Sequence, residues 1–369
     1  MNAFAAVGHR FMWIALLASW LPACGADTGS EDTAPDAQSS SADSGSTGAG
    51  NASSSTTGPG SGTGAGSTTG SGGATGSGGG SSSGISASYP GDVGIEAHPS
   101  VVFFEDFEEA DVGSMASRWD SADQDPLALV GDVPPGAAGG SHSLEITVPS
   151  GAGVTGVTLF KNVPDQQGSV YVRYYAKYDA ASDYHHAGMW LGGFNPPTKW
   201  PQGTAGIRPS GSDFFENAWE PHSTGSELQV DHYAQWPGMD CFMEPGGCWG
   251  NVFLRDAEPT VSAASWVCVE LMVRLNTPGQ NDGEYAVWMN DGVVQHLAPG
   301  SPSFDRLGNG VWKPNPAGTP FPGFDWRSTT DLAFNWIWLD FYVDSGPSSM
   351  RWDQIVVATE RIGCMTAAP

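Results

Sequence analysis

The chain has 369 residues, 14 of them Lys or Arg against 40 Asp or Glu, and a formal net charge of −26 at pH 7. A balance this acidic excludes a nucleic-acid binder, which needs a basic footprint facing the phosphates. The 51 glycines crowd toward the N-terminal quarter while the 15 tryptophans favour the remainder, so composition alone splits the chain into a part that cannot bury a core and a part that can.

In chain order, residues 1–24 read as an export signal. Arg10 supplies the positive start, "FMWIALLASWL" is apolar but too short to span a bilayer, and "LPAC" ends at Cys24. The Leu-x-small-Cys ending resembles the lipobox of bacterial lipoproteins. That resemblance implies acylation of Cys24 and, with Gly25 following, an outer-membrane or cell-surface location. An ordinary secretory signal is the plainer alternative. Residues 25–85 are dominated by Gly, Ser, Thr and Ala. Such a segment has too little to bury and is expected to be a flexible linker.

Residues 86–369 are expected to form the folded domain. Four cysteines remain there, Cys241, Cys248, Cys268 and Cys364, an even number in an exported chain, which points to disulfides. Cys241 and Cys248 flank "FMEPGG" and suit a small closed loop, and a Cys268–Cys364 link would fasten the C-terminus, although three connectivities are possible. The pattern is β throughout. "SVYVRYYAKYD" sets Val170, Val172, Tyr174 and Ala176 against Tyr171, Arg173, Tyr175 and Lys177, and "WVCVELMVRLNT" alternates in the same way. "YAVWMNDGVVQHL" reads as two strands around Asn290-Asp291-Gly292, a hairpin signal. No convincing amphipathic helix appears. These features predict an all-β fold, a two-sheet antiparallel jelly-roll sandwich.

"DLAFNWIWLDFYVD" carries the strongest functional signal. Ala333, Asn335, Ile337, Leu339, Phe341 and Val343 read as its core face, and Phe334, Trp336, Trp338, Asp340 and Tyr342 as the other. Rings interspersed with polar groups are how proteins hold sugars, whose C–H faces stack while their hydroxyls hydrogen-bond. Three more segments have comparable faces. "ELQVDHYAQW" groups His232, Ala234 and Trp236 against Asp231, Tyr233 and Gln235; "DFFENAWEP" groups Glu216, Ala218 and Glu220. In "YHHAGMWLGG", strict alternation sends His186 and Trp190 toward the aromatic side and His185 toward the core or a sheet edge. The predicted sugar-binding set is Trp190, Trp236, Trp336, Trp338, Asp340 and Tyr342.

Taken together, "VFFEDFEEADVGSMASRW", "VYVRYYAKYD", "HHAGMWLGG", "WVCVELMVRLNTPGQNDGEYAVWMNDGVV" and "RWDQIVVAT" resemble, in that order, concanavalin A-like jelly-roll polysaccharide lyases of the alginate- and glucuronan-lyase type. The resemblance covers most of residues 100–362. It implies β-elimination on a uronate-containing glycan, which requires a base, an acid for the leaving oxygen and a group that neutralises the carboxylate. His186, aligned with a lysine of that family, or His232 is the expected base. Tyr233 or Tyr342 is the expected acid, and Arg173 or Arg208 the neutralising group. The family also implies a structural calcium between the first and last strands, here at Glu108 and Asp353. Two other functions fit the same face. One is a non-catalytic carbohydrate-binding module or adhesin. The other is a glycoside hydrolase using Glu216 and Glu220, with Ala218 where laminarinase-type enzymes carry an aspartate.

Overall fold

The computed structural model describes residues 84–367 except 139, 154, 199–203, 225–226, 242–246 and 255–259. The export signal, Cys24 and residues 25–83 of the linker lie outside the described residues. The described chain forms β1 (Val101–Glu105), β2 (Ser121–Ala122), β3 (Leu127–Val130), β4 (Ser143–Val148), β5 (Thr155–Gln166), β6 (Ser169–Tyr178), β7 (Asp183–Phe194), β8 (Phe214–Thr224) and β9 (Glu227–Gln235). It continues through β10 (Asn251–Phe253), β11 (Thr260–Val261), β12 (Trp266–Arg274), β13 (Glu284–Met289), β14 (Gly292–Leu297), β15 (Ser303–Arg306), β16 (Val311–Pro314), β17 (Thr319–Pro320), β18 (Phe334–Ser345) and β19 (Ser348–Ala358).

The strands build two sheets, as the alternation predicts. The first has the order β14-β13-β12-β6-β19-β4-β3, with β1 also on β19. The second has the order β17-β15-β16-β10-β9-β8-β7-β18-β5-β2, with β11 on β9. Pairing is antiparallel except between β10 and β16. The fold is the expected all-β jelly-roll sandwich. Val170, Val172, Tyr174 and Ala176 of β6 and Val267, Val269, Leu271 and Val273 of β12 face Met189, Leu191, Ile337, Leu339, Phe341 and Val343 of the second sheet in one buried cluster. Each fully buried aliphatic side chain contributes about 1.5–3 kcal/mol. The β13–β14 hairpin turns through Asn290 and Asp291, at φ 48° and 65°, the paired left-handed conformation that an Asn-Asp-Gly run favours.

The outer surface of the first sheet is covered by the chain itself. Ile85 and Ile95 pack with Val356, Ala358 and Ile362, and Tyr171 joins this smaller cluster. Two short 3₁₀ turns, Ile85–Ser88 and Pro90–Asp92, bring Asp92 onto Arg173 in a buried ion pair. From the other end, Ile362 N and Gly363 N donate to buried Glu270 at 2.6 and 3.0 Å.

Of the three connectivities open to four cysteines, the structure has Cys241–Cys248 and Cys268–Cys364, with sequence separations of 7 and 96. The second link ties β12 to the C-terminal strap. Chain-entropy reasoning makes it the more stabilising of the two, about 4–5 kcal/mol against about 2 for the short loop. Replacing both Cys268 and Cys364 by Ala is therefore expected to lower the urea midpoint clearly more than the Cys241/Cys248 double replacement, as followed by tryptophan fluorescence.

Candidate functional site

Sheet pairing arranges the outer face of the second sheet in rows that run across its strands. The middle row is Tyr233, Ala218, Trp190, Trp338 and Phe160, contributed by β9, β8, β7, β18 and β5. On one side lie Gln235, Glu216, Gly192, Trp336 and Asn162. On the other lie Asp231, Glu220, Gly188, Asp340 and Thr158, followed by His186, Tyr342 and Gly156. Alternation on β18 explains the set: residues that put Ile337 and Leu339 into the core must put Trp336, Trp338 and Asp340 on the opposite face.

The aromatic row is continuous. The Trp190 ring lies 5.6 Å from Trp338 and 5.3 Å from Tyr233, and it passes over Ala218, whose small side chain leaves the space. Trp336 packs with Phe160 at 5.9 Å and Phe194 at 5.7 Å. Gly192 permits this. A Cβ there would sit 2.8 Å from Trp336 Cζ2 and 2.1 Å from Phe215 O. Gly250 does the same for Tyr233, whose ring lies where a Cβ would be, while Gly250 N donates to its hydroxyl at 2.7 Å. The indole N–H groups of Trp190 and Trp336, with Gln235 Oε1 and Asn162 Oδ1, are buried without hydrogen-bond partners among the described residues. Such orphaned donors and acceptors are costly unless a ligand or water satisfies them.

His186 lies at the edge of this row. Its Nδ1 is 3.0 Å from Glu220 Oε2, and its ring meets Trp190 at 5.8 Å and Tyr233 at 5.6 Å, both edge-on. His185 departs from the alternation. The register between β7 and β18 shifts here, with Tyr342 opposite His186 and Val343 opposite Tyr184, so His185 is the extra residue of a bulge. A bulge lets two successive side chains share a side. The His185 ring accordingly lies 4.7 Å from His186 and 5.2 Å from Tyr342, rather than facing the core. Its Nδ1 lies 2.6 Å from Asp344 Oδ1. Burial and the neighbouring His186 lower its pKa, with Asp344 opposing.

A second irregularity, with its extra residues on β5, alters the pairing at the start of β18. The register shifts between Phe334 and Trp336, Asn335 bonds Phe194 N and O at 3.0 and 2.9 Å, and Phe334 turns into the main core instead of the outer face.

Electrostatically the face is acidic. The segments β7, β8, β9 and β18 contain no Lys or Arg, and Lys161 of β5 donates to Arg118 O at 2.7 Å. Burial pushes the Glu216 carboxyl up to about 8, with a hydrogen bond from Thr204 opposing. Asp340 is held well above the ordinary carboxylate range by burial and by Glu220 and Glu216 nearby. Tyr233 is raised for the same two kinds of reason, burial first and then Glu216. Burial thus favours the protonated form of both carboxyls over the charged one.

Several predicted site residues are elsewhere. His232 is fully buried on the core side of β9, with Nε2 3.0 Å from Asn217 Oδ1 and its ring stacked 3.6 Å from Tyr285. Trp236 shares that side, packed among Phe253, Trp312, Phe324 and Trp326. Both are corrected from site to core, because the outward face of β9 is Asp231, Tyr233 and Gln235. Arg173 is corrected as well: it belongs to the first sheet, where the N-terminal segment covers it and Asp92 neutralises it. Arg208 is exposed in the loop before β8, donating to Pro237 O at 2.7 Å. Glu216, Gln235 and Phe160 complete the face. Glu216 is legible in the sequence as a partner of Glu220, whereas nothing in the sequence marks Phe160.

Glu108 and Asp353 lie near the junction where β19 exchanges neighbours. β4 pairs with Ser348–Trp352 and β1 with Ile355–Ala358, and between them Gln354 adopts φ 49°. Asp353 Oδ2 and Gln354 Oε1 are buried without hydrogen-bond partners among the described residues. Burial, then Glu108 and Asp106, push the Asp353 carboxyl up to about 8. Glu108 also accepts from Ser141 N and Oγ and from His142 N at 2.6–2.8 Å. Orphaned buried oxygens beside further acids fit a hard cation. The adjoining group Glu105, Asp106 and Glu109 is different, since the Arg118 guanidinium pairs with all three.

No family model matches this chain, and no curated protein matches it. Among solved structures, an alginate lyase in complex with alginate trisaccharide is 12% identical, with TM-score 0.49, covering 71% of this chain and 99% of that one. The alginate lyase of a Chlorella virus is 15% identical with TM-score 0.47, covering 70% and 99%. The endo-β-1,4-glucuronan lyase of the fungus Trichoderma reesei is 14% identical with TM-score 0.40, covering 70% and 95%.

Carboxyls whose folded pKa is raised stabilise the protein below their unfolded value and lose that contribution as pH climbs to the folded value. For Glu216 that window runs from about pH 4.5 up to about 8. It costs about 1.4 kcal/mol per pH unit while only the unfolded state is ionised. Thermal stability should fall between pH 5 and pH 8, and Glu216→Gln should flatten the slope measured by calorimetry.

Proposed function

We propose that the outer face of the second sheet binds a polysaccharide and cleaves a uronate-containing chain by β-elimination. The observation that carries the chemistry is the His186–Glu220 contact at 3.0 Å beside the aromatic row. A carboxylate on Nδ1 fixes the tautomer and leaves Nε2 to take a proton. In this reading the partly exposed Trp338 and Tyr342 rings stack on sugar faces, backed by Trp190, which is 6% exposed, and by the fully buried Trp336. His186 removes the proton α to the uronate carboxylate. Tyr342 or Tyr233 protonates the leaving oxygen, and the Glu216 carboxyl, pushed up to about 8 by burial, takes the place of a cation beside the substrate carboxylate, with Asp340, also raised by burial, next to it. An anionic chain is tolerated there only while those acids keep their protons.

A second reading is favoured by the same charges. Four strands without Lys or Arg make a face better suited to neutral sugars, held without chemistry, as in a carbohydrate-binding module or adhesin. Under either reading we place the protein outside the cell, lipid-anchored at Cys24 to the outer membrane or cell surface. We also assign Glu108 and Asp353, with Gln354, as ligands of a structural calcium ion that would neutralise the acids at the β19 junction.

Incubation with a panel of uronate and neutral polymers, followed by ultraviolet absorbance, tests the lyase. Unsaturated ends on a uronan are expected, and His186→Ala should reduce the rate by about 10²–10⁴-fold. A flat trace accompanied by retention on a neutral polymer would favour the binding module, and new reducing ends without absorbance would transfer attention to Glu216 and Glu220. Trp338→Ala should weaken oligosaccharide binding by about 1 kcal/mol, read by calorimetry; unchanged affinity would remove the aromatic row from recognition. Chelator should lower the melting temperature of the wild type and not of Asp353→Asn. A melt indifferent to chelator would dispose of the calcium assignment.

A further inference from the structure

Two imidazoles rarely share one side of a strand when they are neighbours in sequence, since successive side chains point to opposite faces. The bulge in β7 overrides that rule and brings the His185 and His186 rings to a centroid separation of 4.7 Å with a 48° tilt. Each ring is held in the same manner. His185 Nδ1 meets Asp344 Oδ1 at 2.6 Å and His186 Nδ1 meets Glu220 Oε2 at 3.0 Å. Asp344 belongs to β18 and Glu220 to β8, the strands on opposite flanks of β7. The described hydrogen bonds of both rings therefore run through Nδ1, with the carboxylates drawing the two rings toward opposite sides, and Nε2 of each is the atom left for a ligand. Both rings keep an accessible edge, with side-chain exposures of 12% and 23%.

We propose that His185 and His186 form a two-imidazole site for a borderline divalent transition-metal ion such as Zn²⁺, with Asp344 and Glu220 as the outer carboxylates. A carboxylate on the distal ring nitrogen is the usual support of a metal-bound histidine: it fixes the tautomer and strengthens the ligand. Spacing agrees. Two rings sharing an ion at Zn–N distances of about 2.0–2.1 Å, with an N–Zn–N angle near 90–110°, have centroids about 4.5–5.2 Å apart. Ligand type excludes the hard cations, which take oxygen, and selects ions that take imidazole. Water would complete the coordination sphere on the accessible side. The site is separate from the acidic junction at Asp353, and it does not depend on the lyase reading. If His186 is also the base, an ion on Nε2 blocks it, so zinc would act there as an inhibitor.

The test is calorimetric titration of Zn²⁺ into the full chain after treatment with chelator, at neutral pH. One ion per chain is expected, lost in His185→Ala and in His186→Ala and unchanged in Asp353→Asn. Asp344→Asn, which keeps the bulge and both imidazoles, should weaken binding by about 10–100-fold. Absence of binding by the wild type, or binding that His185→Ala leaves intact, overturns the proposal. Polymer cleavage is scored separately: zinc bound through both histidines by a chain that produces no absorbance overturns the lyase and leaves the metal site. Absorbance from a chain that binds no zinc does the reverse.

Discussion

Everything on the outer face of the second sheet depends on the burial of four alternating residues of β18. Ile337, Leu339, Phe341 and Val343 are fully buried in the inter-sheet core, and β18 pairs on both edges, with β5 and β7. A slip of one residue would drive Asp340 and two tryptophans into the inter-sheet core and move the aliphatic set out of it, at a cost of many kcal/mol. The register is thus held by hydrophobic burial between the sheets, and the composition of the other side is set by other demands. Trp336, Trp338, Asp340 and Tyr342 occupy fixed positions because of residues they never touch.

The outer face is energetically expensive in its own right. Among the described residues, it buries carboxyls at Glu216 and Asp340 without a cation and leaves indole N–H groups and amide oxygens unsatisfied. Protonation relieves the charge but not the hydrogen-bonding deficit. A core residue under selection for stability alone would be apolar in such places. The sugar ligand of the proposed function, with hydroxyls around an apolar ring, would complement both halves of this pattern.

Much of the fold is legible in the sequence because period-two alternation is a strong signal wherever one face is buried. The β6 and β12 faces and the outward tryptophans of β18 follow from it directly. The departures share physical causes. On β9 both faces mix polar and aromatic groups, so a histidine there carries the look of function. His232 is nonetheless a core residue, because Asn217 satisfies its Nε2 and Tyr285 stacks on its ring. Arg173 does lie on the outer face of its strand, but alternation cannot say which sheet a strand joins or what covers it. The bulge at His185 leaves no compositional mark, since an extra residue inside a strand needs no special residue type here. Disulfide pairing is open at the level of sequence for a related reason, as it depends on where β12 and the C-terminal strap meet in space.

The path of the chain into the sandwich bears on which side of the molecule the proposed function leaves for a ligand. Gly84 packs against Ile362 and Gly363, so closely that a Cβ would lie 2.2 Å from Ile362 O, and the following turns spread over the outside of the first sheet. The aromatic rows lie on the outside of the other sheet, with the full thickness of the sandwich between. The described chain therefore begins at the back of the molecule. In the proposed function, a polymer approaching the aromatic side would not meet that point of entry.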